Sequence, residues 1–326
     1  MMIPFKLKKG DEIRVVATSR SLAIISKNSI QLAINRLGGL GFKVTFGKNV
    51  NERDEFGSSS IKSRVEDIHD AFRDRNVKGI LSVVGGYNVN QILNYLDYDL
   101  IKKNPKILCG FSDITALQNA IYKKTGLVTY SGPHFSSFGM AKGFEYYLEY
   151  FKKAVIEKGA ITINPSQNWS DDAWFIDQEN RNFIKNSGPF IIKEGDAEGT
   201  IIGGNLCTLN LLQGTRFMPS LKDKILFIED DEDSKPENFD RDLQSLIHQS
   251  HFSKIKGIVI GRFQKNSEMT KEKLIKIIED KMDLDHIPII ADADFGHSQP
   301  IITFPIGGKV KILARGKEIK INIIKH

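Results

Sequence analysis

The stretch 106-KILCGFSDITAL-117 decides how this chain folds. Ile107, Leu108 and Cys109 form a short apolar run of the kind that fills a buried strand, and Gly110 stops it. From Asp113 onward the apolar spacing becomes helical. A glycine, a serine and an aspartate therefore sit where a strand turns into a helix. Two readings compete. Ser112 or Asp113 could cap the free N–H groups of the helix. Alternatively, Ser112 is held up for chemistry on a sharp elbow, beside N–H groups able to stabilise an oxyanion. The usual elbow is G-x-S-x-G, and here Ile114 stands at the second glycine position, so the local signal alone leaves both readings open.

Working outward, the flanking sequence repeats the same unit. Residues 13–18, 42–46, 79–84, 107–109 and 127–130 read as strands. Residues 25–37, 61–72, 89–100 and 113–124 read as helices. Such alternation predicts parallel βαβ units with helices on both faces. Ligands bind such sheets at the carboxyl ends of the strands, where Thr18-Ser19, Gly85-Gly86 and Ser112 all fall. The second half carries strands at 192–202, 225–228, 257–261 and 287–291, and helices at 205–213, 238–249 and 270–282. It closes with strands at 301–304, 310–313 and 319–324. The expected class is α/β. A parallel-sheet, Rossmann-like domain (1–163) precedes an α/β domain with a β-rich end (191–326). Between them, residues 164–190 are polar, weakly periodic and carry both tryptophans, which reads as a linker or a functional loop.

The whole-chain numbers fit this. With 326 residues, 40% hydrophobic and 26% charged, the chain has the length of two domains and an ordinary globular composition. No apolar run reaches the roughly 18 residues of a membrane span. The N-terminal stretch has no apolar core of a signal peptide, and Cys109 and Cys207 fall in no metal or disulfide spacing. A reducing, cytoplasmic setting without membrane contact is the expectation. The net charge of +6 suits anionic partners, but no basic patch is interleaved with aromatics, which argues against a nucleic-acid polymer.

A serine nucleophile needs a base and a group that orients the base. Of the seven histidines, His69, His248, His251 and His286 lie in surface-like segments and His326 is terminal. His134, in SGPH, follows a strand and reads equally as structural or as part of a site. His297, in an irregular loop after the strand IPIIADADF, is the most suggestive. Glu229 is the first polar residue past the buried run KILFI and is the candidate acid; residues 230–233 read as a solvated acidic run. Asp292, Asp294 and His297 leave a loose metal reading with no second histidine at ligand spacing. Gly85-Gly86 would let backbone N–H groups approach a ligand. Neither G-x-G-x-x-G nor a P-loop is present, so no nucleotide cofactor is expected.

Six segments, VVGGYNVNQIL, CGFSD, SGPHFSSFG, GTIIGGNLCTLNLLQGT, ILFIED and FGHSQP, occur in this order and together resemble the LD-carboxypeptidase family of serine peptidases. The resemblance covers nearly the whole chain. It implies a Ser-Glu-His triad made of Ser112, Glu229 and His297. It also implies oxyanion donors at the backbone N–H of Asp113 and of the Gly85-Gly86 turn, no metal and no cofactor, and a homodimer. The missing second glycine ceases to be an objection, because the family motif is G-x-S-D. One branch of the family trims the L,D peptide bond of muropeptides in cell-wall recycling. The other, the microcin-immunity branch, cuts the amide between an aminoacyl or peptidyl group and a nucleotide, and there a loop tryptophan stacks on the base. The segment NWSDDAWFIDQENR is similar to that branch, with Trp174 as the stacking candidate and Trp169 in reserve. A binding protein that uses the same cleft without chemistry is the alternative from a different class; it would have no need of three such residues at three strand ends.

Overall fold

A computed structural model describes residues 1–326. The first sheet has six strands in the order Phe304–Ile306, Thr129–Ser131, Ile107–Gly110, Val77–Ser82, Glu12–Val16, Lys43–Phe46. The last five run parallel. The chain winds outward from Glu12–Val16 in one direction and then resumes beyond it at Val77–Ser82 in the other. The crevice where the order reverses lies between the ends of these two strands, as expected for ligand binding in this class of sheet. All four residues of Ile107–Gly110 are buried, which explains the unbroken apolar run.

The second sheet has eight strands. Four are parallel neighbours: Gly195–Asn205, Lys224–Glu229, Gly257–Gly261 and Ile289–Ala293. Antiparallel strands complete both sides, with Phe190–Lys193 at one edge and Lys309–Arg315, Glu318–Lys325 and Ile161–Thr162 at the other. In Lys309–Arg315 the alternating lysines point outward and Val310, Ile312 and Ala314 are buried, matching the period-two reading.

The expected boundaries at 163 and 191 are crossed in both directions. Ile161–Thr162 pairs with Glu318–Lys325 of the second sheet. Phe304–Ile306, which shares only Phe304 with the strand expected at 301–304 in the β-rich end, pairs antiparallel with Thr129–Ser131 of the first. The helix Ile114–Thr125 is packed on nearly every side. Its Asn119 Nδ2 donates to Gly203 O at 2.8 Å, and its Thr115 Oγ1 accepts from Asn205 N at 3.0 Å. A side chain at Gly204, where φ is +116°, would collide with Thr115, so this contact requires glycine. Both hydrophobic clusters draw on residues of both sheets.

Two local expectations differ from the structure. Residues 89–100 form a short 3-10 segment, Val89–Tyr95, and then a separate helix, Tyr98–Lys103. The break is at Asp97, whose side chain caps the second helix through Leu100 N while its own N–H donates to His69 Nε2 at 2.9 Å. Residues 164–190 are also more ordered than their polarity suggested, containing an antiparallel ribbon of Asn168–Trp169 and Ile184–Lys185. No helix of the structure is long and apolar enough to cross a membrane.

Candidate active site

Ser112 has φ +60°, a left-handed conformation that costs a non-glycine residue about 1–3 kcal/mol and is kept only where the surroundings enforce it. Its side chain does not cap the following helix. Asp113 occupies the cap position and makes no capping bond either. The elbow reading therefore fits the geometry and the cap reading does not. Asp113 turns its buried carboxylate the other way, where Oδ2 accepts from Ser19 Oγ at 2.6 Å, Asn88 N at 2.9 Å and Val89 N at 3.0 Å. These bonds tie the Gly85-Gly86 turn region to the elbow. The N–H groups of Gly85, Gly86 and Asp113 have no acceptor within the protein. They are free to meet a developing negative charge.

His297 Nε2 lies 3.0 Å from Ser112 Oγ, and His297 Nδ1 lies 2.8 Å from Glu229 Oε2. Glu229 is the last residue of its strand and is 2% exposed. Three strand ends from two sheets thus deliver a hydroxyl, an imidazole and a carboxylate in hydrogen-bonding sequence, the arrangement a nucleophile–base–orienter relay requires. Burial works against the charged form of His297. The Glu229 carboxylate outweighs that effect and, with Asp231 and Asp230 behind it, pushes the imidazole up to about 9. Asp230 is itself pushed up to about 7, by burial and then by its neighbour Glu229.

These groups open into a cavity of about 580 Å³. Arg20, Gly85, Gly86, His134, Ser136 and Ser137 line it on the side of the first sheet; Asp231, Glu232, Asp233, Gln264 and Asn266 line it on the side of the second. Trp174 and Phe175 come from the 164–190 segment. Trp169 does not reach the cavity. Its ring packs beneath Arg262 and Lys265, 5.3 and 5.4 Å from the charged atoms, and anchors the ribbon. The two tryptophans thus have different surroundings.

The segment is held by charge-assisted bonds that no local sequence pattern announces. Arg181 donates to Asp172 Oδ1 at 2.5 Å and to Gln299 Oε1 at 2.6 Å. Ser170 and Gln299 exchange backbone bonds at 2.7 and 2.6 Å, two residues past His297. Asp292 and Asp294, the acids of the metal alternative, are both engaged by buried Arg262, at 2.9 and 2.6 Å. No group of three His, Cys, Asp or Glu side chains with metal-binding geometry gathers anywhere in the chain. Of the residues expected at the site, Ser112, Asp113, Glu229, His297, Gly85, Gly86 and Trp174 converge. The roles of the Asp113 side chain, Arg181 and Gln299 were not foreseen, although all three lie inside quoted segments, CGFSD, NWSDDAWFIDQENR and FGHSQP.

Known proteins resemble this chain over nearly its whole length. The LD-carboxypeptidase N-terminal domain matches residues 13–132 and the LD-carboxypeptidase C-terminal domain matches residues 198–312. YocD of Bacillus subtilis (strain 168), which bears a carboxypeptidase name, is 56% identical over 325 residues, 100% of each chain. The microcin C7 self-immunity protein MccF of Escherichia coli is 33% identical over 97% of this chain and 94% of its own. A protein of Bacillus subtilis (strain 168) named as a murein peptide carboxypeptidase is 31% identical over 94% of this chain and 90% of its own. Among solved structures, an MccF-like protein from Bacillus anthracis superposes with a TM-score of 0.99 at 58% identity, covering 100% of both chains. MccF in complex with glutamyl sulfamoyl guanosine superposes with a TM-score of 0.90 at 30% identity, covering 99% of this chain and 98% of that one. The chain belongs to the LD-carboxypeptidase family, hydrolases of the serine peptidase type.

Proposed function

We propose that this protein hydrolyses the amide bond between an aminoacyl or peptidyl group and a nucleotide, and so detoxifies aminoacyl-adenylate mimics. The observation that carries this reading is Trp174, which lines the same cavity as Ser112 and His297 and offers a ring on which a nucleobase can stack. The likeness to MccF bound to glutamyl sulfamoyl guanosine supports it.

In the proposed reaction His297 Nε2 takes the proton of Ser112 Oγ as the oxygen attacks the amide carbonyl. The carbonyl oxygen becomes an oxyanion opposite the N–H groups of Asp113 and the Gly85-Gly86 turn. Glu229 holds the imidazole with Nδ1–H toward itself and stabilises the imidazolium. That imidazolium then protonates the leaving nitrogen, and water, activated by the same histidine, releases the acyl group from Ser112. The acting groups are the side chains of Ser112, His297 and Glu229, the backbone N–H groups of Asp113 and the glycine turn, and water.

The second reading is cleavage of an L,D-linked muropeptide, favoured by the relative named as a murein peptide carboxypeptidase. The deciding experiment offers purified protein an aminoacyl sulfamoyl adenosine and a muropeptide tetrapeptide side by side, with Ser112→Ala as control. Serine-dependent cleavage of the nucleotide conjugate supports the first reading, and cleavage of the muropeptide alone replaces it with the second.

A further inference from the structure

His134 takes no part in the relay just described, yet it lines the same cavity. It follows the Thr129–Ser131 strand and is 3% exposed. Its ring is fixed on two sides. Ser82 Oγ lies 2.7 Å from Nδ1, and the Phe111 ring stacks against the imidazole with centroids 4.3 Å apart. The other ring nitrogen, Nε2, has no protein partner.

What Nε2 faces is shown by a missing atom. A side chain at Gly85 would place its Cβ 3.0 Å from Ser112 Oγ and 3.5 Å from His134 Nε2. Gly85 is not in the left-handed region, so its backbone does not demand glycine. The absent Cβ instead keeps open a gap bounded by the nucleophile's oxygen on one side and His134 on the other. A reacting carbonyl must occupy space of this kind next to Oγ.

One of the two tautomers of this ring places a donor beside the gap. The Ser82 hydroxyl has two acceptors in reach, His134 Nδ1 at 2.7 Å and Cys109 O at 3.5 Å. The short contact is the stronger by a wide margin. With Ser82 donating to Nδ1, the imidazole's own proton sits on Nε2, beside the gap. Burial and then the nearby His297 push this ring's pKa down to about 3, so it is a neutral donor throughout the working range. A neutral donor that is held rigid and slow to give up its proton is suited to a charge that appears only in the transition state.

We propose that His134 is a further catalytic residue, whose Nε2–H donates to the scissile carbonyl oxygen as that oxygen becomes an oxyanion. The inference rests on the serine mechanism proposed above. The Ser112 Oγ–carbon bond forms, the carbonyl π pair moves to oxygen, and the hydroxyl proton goes to His297. His134 keeps its proton and contributes a hydrogen bond only.

The test pairs His134→Phe, which keeps a flat ring against Phe111 but loses the donor, with His134→Gln, which returns an N–H at similar reach. Thermal midpoints identify any variant that is merely unfolded. The first readout is the rate at which an alkyl fluorophosphonate labels Ser112, which needs no knowledge of the natural substrate. The second is kcat and KM on whichever conjugate the wild type cleaves. His134→Phe is expected to label roughly 10²-fold more slowly and to lose kcat in the same proportion, with KM within about twofold. His134→Gln recovers most of both. Nitrogen-15 shifts of the imidazole are expected to show the proton on Nε2, with no titration between about pH 5 and 9. Wild-type labelling by His134→Phe overturns the proposal, as does a rise in KM at constant kcat, or a proton found on Nδ1. Failure of the wild type to label removes the serine mechanism and this inference with it. Normal labelling without turnover of either conjugate counts against the substrate reading alone.

Discussion

Ser19 donates its hydroxyl to Asp113 Oδ2 at 2.6 Å, so the residue beside the proposed nucleophile is clamped to the end of the first strand of the sheet. The same oxygen gathers the N–H groups of Asn88 and Val89, just past the glycine turn. Asp113→Ala strands these buried donors and is expected to cost roughly 3 kcal/mol in urea unfolding. Because the turn carries proposed oxyanion donors, kcat should fall about 10²-fold with KM little changed. Asp113→Asn, which keeps an acceptor oxygen, should retain more of both.

The Glu229–His297 contact makes a prediction in pH. The base works only when neutral, and its pKa is held at about 9, above the ordinary 6.5. Activity (kcat/KM) of the wild type should therefore climb as pH rises through a limb well to the alkaline side of 6.5. Glu229→Gln removes the carboxylate, so that limb moves to lower pH while the plateau drops by about 10²–10⁴-fold. Stability follows the same ionisation with opposite consequence. A raised histidine pKa stabilises the folded state fully below 6.5, and that contribution is lost as pH rises through about 9. The wild type, but not Glu229→Gln, should lose stability across this window in denaturant titrations.

The two tryptophans should separate cleanly. Trp174→Ala is expected to weaken a nucleotide conjugate by about 1–3 kcal/mol, seen as a rise of roughly 5- to 150-fold in KM or in the dissociation constant of adenosine monophosphate. Trp169→Ala should leave kcat and KM close to wild type and lower the thermal midpoint instead. Equal effects of both on nucleotide affinity would contradict the stacking role given to Trp174.

Arg262 joins Asp292, Asp294 and Asn186, the last at 2.7 Å, and so fixes the base of the ribbon-bearing segment to the second sheet. Arg262→Ala leaves the buried Asp294 carboxylate and the half-buried Asp292 without their cation, and a cost of about 3–5 kcal/mol is expected. Limited proteolysis should then cut within residues 164–190, where the wild type resists.

The reach of sequence reasoning in this chain followed the range of the forces involved. Glu229 was legible as the polar residue that closes a buried run, whereas Ser112 and His297 gave weak local signals and were singled out by the motifs CGFSD and FGHSQP that carry the family resemblance. Helices such as Lys27–Gly39 and Pro236–Ile247 were legible from apolar spacing. The ordering of residues 164–190 was not, because it depends on Arg181 reaching Gln299 and Arg262 reaching Asn186, partners far apart in the chain with no shared period. Phe304–Ile306 had strand character, but nothing local says which of two sheets a three-residue strand will join. Capping by Ser112 or Asp113 was one of two open readings because helix starts commonly use such a residue; the Asp113 carboxylate instead accepts from distant Ser19.

The crossing of Phe304–Ile306 into the first sheet also has a consequence for how the protein comes into being. Synthesis runs from the N-terminus and domains tend to fold as they emerge. The serine elbow is made early, but the strand that closes its sheet, and the glutamate and histidine that would arm it, are translated much later. On the proposed mechanism, a chain that has emerged only this far holds the candidate nucleophile without its candidate base, and hydrolysis is expected only once the late segments have been laid down.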